Sequence, residues 1–134
     1  MKSATPLTDA APSKPAAPEL RFRLRITAGE VIAIGPGKVA LLEAIAATGS
    51  ITAAAKQLGM SYRRAWLLLD ALNHALKTPA VDSAKGGAAG GGSVITDVGW
   101  QVMTLYRQIE ATASSACAAD IKQLLALLAT QAKG

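Results

Sequence analysis

The feature that most constrains this chain is a pair of helical patterns separated by one glycine. Small and apolar residues recur three and four positions apart, on one face of a short helix, at Ile51, Ala54, Ala55 and Leu58. The pattern stops at Gly59, whose backbone accepts a tight turn that a Cβ atom would strain. It resumes in a longer helix from Ser61, with its buried side predicted at Ala65, Leu68, Leu69, Leu72, Ala75 and Leu76.

A short helix, a tight turn and a longer helix form a helix-turn-helix, whose second helix can enter the major groove of DNA. Ser50 and Ser61 are the predicted caps of the two helices. The first turn of the second helix carries Arg63 and Arg64, at the end of the helix dipole that disfavours positive charge. That position argues for DNA contact rather than a merely solvated face. The predicted contact residues are Ser50, Thr52, Ser61, Tyr62, Arg63, Arg64 and Trp66. Trp66 could be a partly exposed contact, but the sequence favours its packing beneath a neighbouring hairpin.

A glycine-rich segment follows the second helix and has a β-prone stretch on each side. Residues 80–85 and 93–96 are the predicted strands, and residues 86–92 form the tip between them. This pattern is typical of the wing in winged helix domains, so we expect Lys85, Gly86 and Gly87 to meet the DNA backbone. The rival is a phosphate-binding enzyme loop, which needs a following Lys-Ser/Thr pair or a Rossmann spacing, and neither is present.

The chain before this core divides into a tail and a hairpin. Residues 1–18 are rich in proline and alanine and are predicted to be disordered. The run LRFRLRIT, residues 20–27, alternates apolar and cationic side chains and predicts a half-buried strand. Residues 31–34 are its predicted partner, and Pro36 suits the first turn of the next helix. The cations Arg21, Arg23 and Arg25 either contact phosphates or simply form a solvent-exposed strand face.

The last third of the sequence predicts long helices that begin with a cap at Thr96 or Asp97. One apolar stripe runs along Val98, Val102, Leu105 and Ile109. A second patch at Trp100, Met103 and Tyr106 is either core or a dimer face, and the length of the helices favours the dimer face. Leu124 and Leu128 in the final helix are also predicted at that interface. Ser114-Ser115 is the expected weak point between the two helices.

Length and composition limit the function classes. With 134 residues, of which 51% are hydrophobic and only five are aromatic, the chain predicts one mainly helical domain. Its divisions are a tail at 1–18, the DNA-binding domain at 19–112 and a C-terminal helix at 113–134. The net charge of +5 favours a polyanionic partner, here double-stranded DNA.

Several classes of site are not expected in this sequence. One histidine and one cysteine give neither a disulfide nor a metal-ligand set. No acid/base pair is visible, so we expect neither an enzyme nor a cofactor. The sequence has no signal-peptide core and no apolar run long enough to span a membrane, which predicts a cytoplasmic protein without membrane contact.

Three segments between about Leu20 and Ile109 point to one family: LLEAIAATGSITAAAKQLGMSYRRAW, the glycine-rich AKGGAAGGGSVIT, and GWQVMTLY. Together they resemble the N-terminal DNA-binding domain of ModE-type molybdate-responsive transcriptional regulators. The resemblance implies a winged helix-turn-helix homodimer that binds a palindromic operator and controls genes of molybdate uptake or molybdoenzymes. By position, it implies a recognition helix that begins at Ser61, Tyr62, Arg63 and Arg64.

The expected fold class is mainly α with a small β wing: a winged helix-turn-helix with an N-terminal β-hairpin and long C-terminal dimerisation helices. In the full-length family, C-terminal domains bind the effector, molybdate or tungstate. This sequence shows no oxyanion-binding motif of that type, so we expect a stand-alone regulator, a regulator that acts with a separate molybdate-binding protein, or a fragment. The alternative function is a protein-interaction or dimerisation module that does not bind DNA itself.

Overall fold

The computed structural model describes residues 17–83 and 92–129. In chain order the elements are β1 (Ile26–Ala28), β2 (Val31–Ile34), α1 (Pro36–Thr48), α2 (Ile51–Gln57), α3 (Tyr62–Ala75), β3 (Val81–Ser83), β4 (Ser93–Ile95), α4 (Asp97–Ala116) and α5 (Ala118–Ala126). Each strand pair, β1 with β2 and β3 with β4, is antiparallel. This order confirms the predicted fold class, a mainly helical winged helix-turn-helix. The predicted tail, residues 1–18, lies outside the described residues except for its last two.

The N-terminal hairpin is shorter than the sequence predicted. Only the end of the LRFRLRIT run is a strand, because β1 begins at Ile26. Ile26 already pairs with Ile34, the last residue of β2, and α1 follows after a single glycine. Residues before Ile26 therefore have no strand to pair with, and Leu20 and Phe22 are exposed rather than half-buried.

The turns between α1, α2 and α3 follow from their glycines and serines. Gly49 ends α1 in the left-handed conformation, with φ of 80°, and its N–H donates to the Ile45 carbonyl. Ser50 then caps α2, because its Oγ accepts the N–H of Ala53 at 2.9 Å. Gly59, with φ of 69°, makes the turn into α3. These features confirm the predicted helix boundaries around the turn.

The core lies where α1, α2 and α3 meet. Leu42 and Ile45 of α1 are fully buried, and the alanines Ala54 and Ala65 allow α2 and α3 to pack closely. Residues at the base of the β3–β4 hairpin and Met103 of α4 complete the same cluster. The buried side of α3 is narrower than predicted, because Leu68 and Leu76 are only partly buried and Ala75 is exposed.

The C-terminal helices break at Cys117 rather than at Ser114-Ser115, which lies inside α4. The chain divides into two compact units, of which Phe22–Ala113 is the larger. None of the residues of α5 is buried. Within the described ranges no single helix is long and apolar enough to cross a membrane, and α1 and α2 reach that length only as a pair bent by 118°.

Candidate nucleic-acid interface

The first turn of α3 is held at the surface by its cap. The Ser61 Oγ accepts the N–H of Arg64 at 3.1 Å, and the turn before it is closed by a hydrogen bond from Met60 N–H to the Ala55 carbonyl at 2.9 Å. Ser61 and the three residues after it are all exposed. The hydroxyl of Ser61 thus has a structural role, while Tyr62, Arg63 and Arg64 point their side chains outward from a fixed helix start.

The residues of α3 divide into faces at about 100° per residue. Ala65, Leu69 and Leu72 are buried against the core. Arg63 and Leu67 lie on the opposite face, exposed to solvent. This outward face is the surface that a helix presents to a groove.

Asn73 joins α3 to the β3–β4 hairpin through hydrogen bonds of its carboxamide group. Its Oδ1 accepts the N–H of Ala80 at 2.8 Å, and its Nδ2 donates to the Val81 carbonyl at 3.3 Å. Ala80 is fully buried, so Asn73 satisfies backbone groups that water cannot reach. The sequence suggested only that Asn73 lies on the polar side of α3. Its role depends on a contact with residues seven and eight positions later.

Hydrogen bonds of Thr96 join the hairpin to α4. Thr96 caps α4 by accepting the N–H of Gly99 at 3.1 Å, and its hydroxyl donates to the Pro79 carbonyl at 2.7 Å. This confirms Thr96 as the cap. Gly99 packs so tightly that a Cβ atom there would lie 2.3 Å from the Ala80 carbonyl oxygen. The hairpin, which we call the wing, is therefore fixed at its base on both sides.

Trp66 lies on the side of α3 that is next to the wing, but it is not packed beneath the wing, since 46% of its surface is exposed. It borders a hollow of about 250 Å³ whose other walls include Asp70, Pro79 and Asp82. The packing beneath the wing that the sequence favoured for Trp66 is therefore not observed, and its side chain is accessible. The predicted wing contacts Lys85, Gly86 and Gly87 lie outside the described residues.

The predicted contacts on α2 differ in accessibility. Ser50 is partly buried and its hydroxyl caps the helix, whereas Thr52 is exposed in the first turn. Thr52 is therefore the more accessible of the two.

The other side of α3 borders a cationic surface that the sequence did not bring together. One hollow of about 310 Å³ is lined by Ser61, Arg63, Arg64, Leu67 and Leu68. A second, of about 270 Å³, shares Arg64 and Leu68 with the first and adds Arg23, Arg25 and Lys38. We call the five cations along these hollows the cation band: Arg23, Arg25, Lys38, Arg63 and Arg64. The spacing of the arginines hinted at one cationic face, but only tertiary packing places it beside α3.

The cation band has a strongly positive character. Neither hollow has an acidic residue in its lining. Lys38 donates from its Nζ to the Ile32 carbonyl, and burial lowers the pKa of its ammonium group. In the part of the chain that the structure describes, no member of the band forms an ion pair, whereas Arg21 pairs with Glu19 and Arg107 with Glu43.

Two residues of the predicted dimer patch are buried in the structure, which corrects their assignment to an interface. Met103 and Tyr106 are 5% and 3% exposed, and the Tyr106 hydroxyl donates to the Leu24 carbonyl at 2.8 Å. They belong to the core, because the segment before β1 and helix α1 cover this side of α4. Trp100, Leu124 and Leu128 are exposed, as are Leu105 and Ile109, which the sequence had placed only in an apolar stripe.

No group of three or more His, Cys, Asp or Glu residues able to hold a metal ion occurs among residues 17–83 and 92–129. The surface around α3 instead combines a capped first helical turn, exposed arginines and a wing whose base is held by hydrogen bonds. This arrangement can bind a polyanion and present side chains to base edges.

The class of protein follows from this arrangement together with the sequence family. Residues 37–99 match the family of bacterial regulatory helix-turn-helix proteins of the lysR type. The match begins in α1 and ends in α4, so it contains α2, α3 and the wing. Residues 37–99 are therefore similar to a bacterial regulatory helix-turn-helix domain, and the match is to a family of regulators rather than of enzymes.

The relatives that match this region include ModE proteins. The chain is 49% identical over 78 residues to the molybdenum-pterin-binding protein MopB of Rhodobacter capsulatus, covering 58% of this chain and 29% of the relative. It is 39% identical over 84 residues to the molybdenum transport protein ModE of Azotobacter vinelandii, covering 63% and 31%. It is also 39% identical over 71 residues to the DNA-binding transcriptional dual regulator ModE of Escherichia coli K12, covering 53% and 27%. The region is thus similar to one part of each of these proteins, and the chain spans less than a third of the length of these relatives.

Proposed function

We propose that this chain is a DNA-binding transcriptional regulator of the ModE type that binds operator DNA as a homodimer. The observation that carries the proposal is the exposed, cationic first turn of α3, capped by Ser61 within a ModE-type helix-turn-helix. In this account α3 enters the major groove, and the wing lies along the adjacent backbone.

The two arginines at the start of α3 are proposed to contact different parts of the DNA. Arg63 lies on the outward face, opposite Leu69 and Leu72, so it reaches toward base edges. A guanidinium group can donate two hydrogen bonds to O6 and N7 of a guanine. Arg64 lies on the flank next to Arg23, Arg25 and Lys38, so it reaches toward the backbone. Tyr62 and Trp66 border the wing side of the same groove.

The names of the relatives support a proposal for the regulated genes. MopB and the two ModE proteins are named for molybdenum-pterin binding, molybdenum transport and transcriptional regulation. We therefore propose that the operator lies near genes of molybdate transport or molybdoenzymes. A separate molybdate-binding protein is the candidate partner that would couple the regulator to molybdate, and a bacterial regulator of this kind meets its DNA in the cytoplasm.

The homodimer is proposed to form through exposed apolar residues of α4. Trp100, Leu105 and Ile109 are each about half exposed, which is unfavourable for large apolar side chains in water. Leu105 and Ile109 are four positions apart and share one face of the helix. In a symmetric dimer each copy would read one half of an inverted repeat, with half-site centres about 10 base pairs apart.

Selection of bound sequences from a pool of randomised double-stranded DNA tests the proposed function. We expect enrichment of an inverted repeat that also occurs upstream of a molybdate-transport operon in the same genome. Titration of that repeat and a scrambled version should show a lower Kd for the repeat, with molybdate present and absent. If no sequence is enriched and neither DNA binds at low salt, the domain is a protein-interaction module.

A further inference from the structure

The flank of α3 that faces away from the wing borders a hollow in which four cations converge. Arg64 comes from α3, Lys38 from α1, and Arg23 and Arg25 from the segment before β1. All four belong to the compact unit Phe22–Ala113. The other lining residues are apolar or glycine, namely Ile32, Gly35, Pro36, Gly37 and Leu68, so the hollow concentrates positive charge without a carboxylate.

Within the described part of the chain, the protein itself provides no nearby carboxylate to balance the positive charge of this cluster. Like charges in one small volume repel each other, and an anion that enters the hollow relieves that repulsion. Elsewhere the arginines do find carboxylates: Arg21 lies 2.6 Å from Glu19, and Arg107 lies 2.7 Å from Glu43. Among the described residues the four cations of this hollow form no ion pair. The contrast indicates that their counter-charge comes from a ligand.

The hollow is also partly organised before a ligand arrives. A Cβ atom at Gly35 would lie 3.6 Å from the Cγ of Arg25, so the stem of this arginine packs against the glycine. Lys38 is held by its hydrogen bond to the Ile32 carbonyl. Side chains that are already positioned lose less conformational entropy when they bind an anion.

Its location identifies the anion. Arg64 lines both this hollow and the one that contains Arg63, so the hollow is continuous with the outward face of α3. If α3 lies in a major groove, the surface along its flank lies against the phosphates that border the groove. We propose that Arg23, Arg25, Lys38 and Arg64 form a phosphate clamp, which binds a DNA backbone phosphodiester beside the groove that α3 enters. This inference rests on the proposed function.

The salt dependence of DNA binding tests the clamp. The test variant carries Arg23→Gln and Arg25→Gln, since glutamine keeps the Cβ and Cγ atoms that pack on Gly35. Each lost phosphate contact reduces the slope of log K against log salt by about 0.9, so the slope should become shallower by about two. Affinity at 0.1 M salt should fall about 10- to 100-fold. The loss should be equal for operator and scrambled DNA, because a phosphate carries no sequence information.

The matched control is Arg21→Gln, which removes an exposed arginine already paired with Glu19 and should leave the slope unchanged. Replacing single phosphates by neutral methylphosphonates provides the test from the DNA side. Wild type should lose affinity at one or two positions beside the groove, and the double variant should be insensitive there. If circular dichroism shows the double variant unfolded, Lys38→Gln replaces it, with an expected change in slope of about 0.9.

The outcomes separate the clamp from the proposed function. Failure of wild type to bind any DNA would overturn both. Binding by wild type with an unchanged slope in the folded variant would overturn the clamp alone. Inorganic phosphate added at constant ionic strength distinguishes a free oxyanion as ligand. Phosphate that displaces DNA from wild type but not from the variant would support the clamp, whereas phosphate that binds wild type and leaves DNA binding unchanged would show that the hollow holds a free ion instead.

Discussion

At the scale of single residues, the attachment of the wing to α3 depends on Asn73. Its carboxamide satisfies the N–H of Ala80, which is fully buried and has no access to water. We expect Asn73→Ala to lower the free energy of unfolding by about 1–3 kcal/mol, because a buried donor loses its partner. Urea unfolding measures this. His74→Ala, at an exposed position on the same helix, should change it by less than about 0.5 kcal/mol. Equal effects of the two substitutions would contradict this role for Asn73.

The ion pair between Glu43 and Arg107 predicts a dependence of stability on acid. Hydrogen bonds from Arg107 hold the pKa of Glu43 below its ordinary value of 4.5, against the opposing effect of burial. A carboxyl group with a lowered pKa in the folded state stabilises the protein above its ordinary pKa, and that stabilisation is lost as the pH falls. Both side chains are well exposed, so the contribution at neutral pH is below about 1 kcal/mol.

The test is Glu43→Gln, compared with wild type by thermal unfolding between pH 7 and pH 3. The variant should be slightly less stable at neutral pH, and the difference should close below about pH 4.5. A difference of the same size at pH 3 and pH 7 would mean that the ion pair is not its cause.

How far the sequence predicts a residue's role depends on how local its partners are. The caps Ser50 and Ser61 bond to N–H groups three positions later, so their role was visible in the sequence. Met103 and Tyr106 are buried by segments far away in the chain, and their spacing alone left core and dimer face open. The convergence of Arg23, Arg25 and Lys38 on Arg64 is equally nonlocal, which explains why the sequence did not reveal it.

At the scale of elements, the seating of α4 against the base of the wing depends on Gly99. A methyl group there would lie 2.3 Å from the Ala80 carbonyl oxygen and 2.7 Å from a methyl carbon of Ile95. We expect Gly99→Ala to destabilise the fold by about 1–3 kcal/mol through overpacking. Gly37→Ala is the control, because nothing lies within 4 Å of its added Cβ. It should stabilise α1 by about 0.5–1 kcal/mol. Chemical denaturation of both variants checks the contrast.

The elements themselves were predictable where the signal was local. Glycine, proline and serine residues at the helix ends indicated the positions of α1, α2 and α3. The β-prone residues on both sides of the glycine-rich tip indicated β3 and β4. The strand predicted over residues 20–27 was wrong over most of its length. Alternation shows that a segment can be a strand, but a strand also needs a partner, and β2 ends after four residues.

At the scale of the whole molecule, the proposed homodimer depends on the exposed apolar face of α4. We expect the double change Leu105→Ser and Ile109→Ser to raise the dimer dissociation constant tenfold or more, about 1.4 kcal/mol. Analytical ultracentrifugation over a range of concentrations measures this. Thr104→Ser, at an exposed position of the same helix away from the face of Leu105 and Ile109, is the control. A wild-type chain that remains monomeric at all concentrations would exclude the dimer.

The central claim is that α3 reads bases through its outward face, and the most direct test is the ratio of Kd values for scrambled and operator DNA. In wild type this ratio should be large. Arg63→Ala should reduce it by about 5- to 150-fold, the usual value of a bidentate contact to guanine. Lys122→Ala, a charge loss on α5, should leave it unchanged. If Arg63→Ala weakens both DNAs equally and preserves the ratio, Arg63 contacts the backbone and the account of base reading by α3 is contradicted.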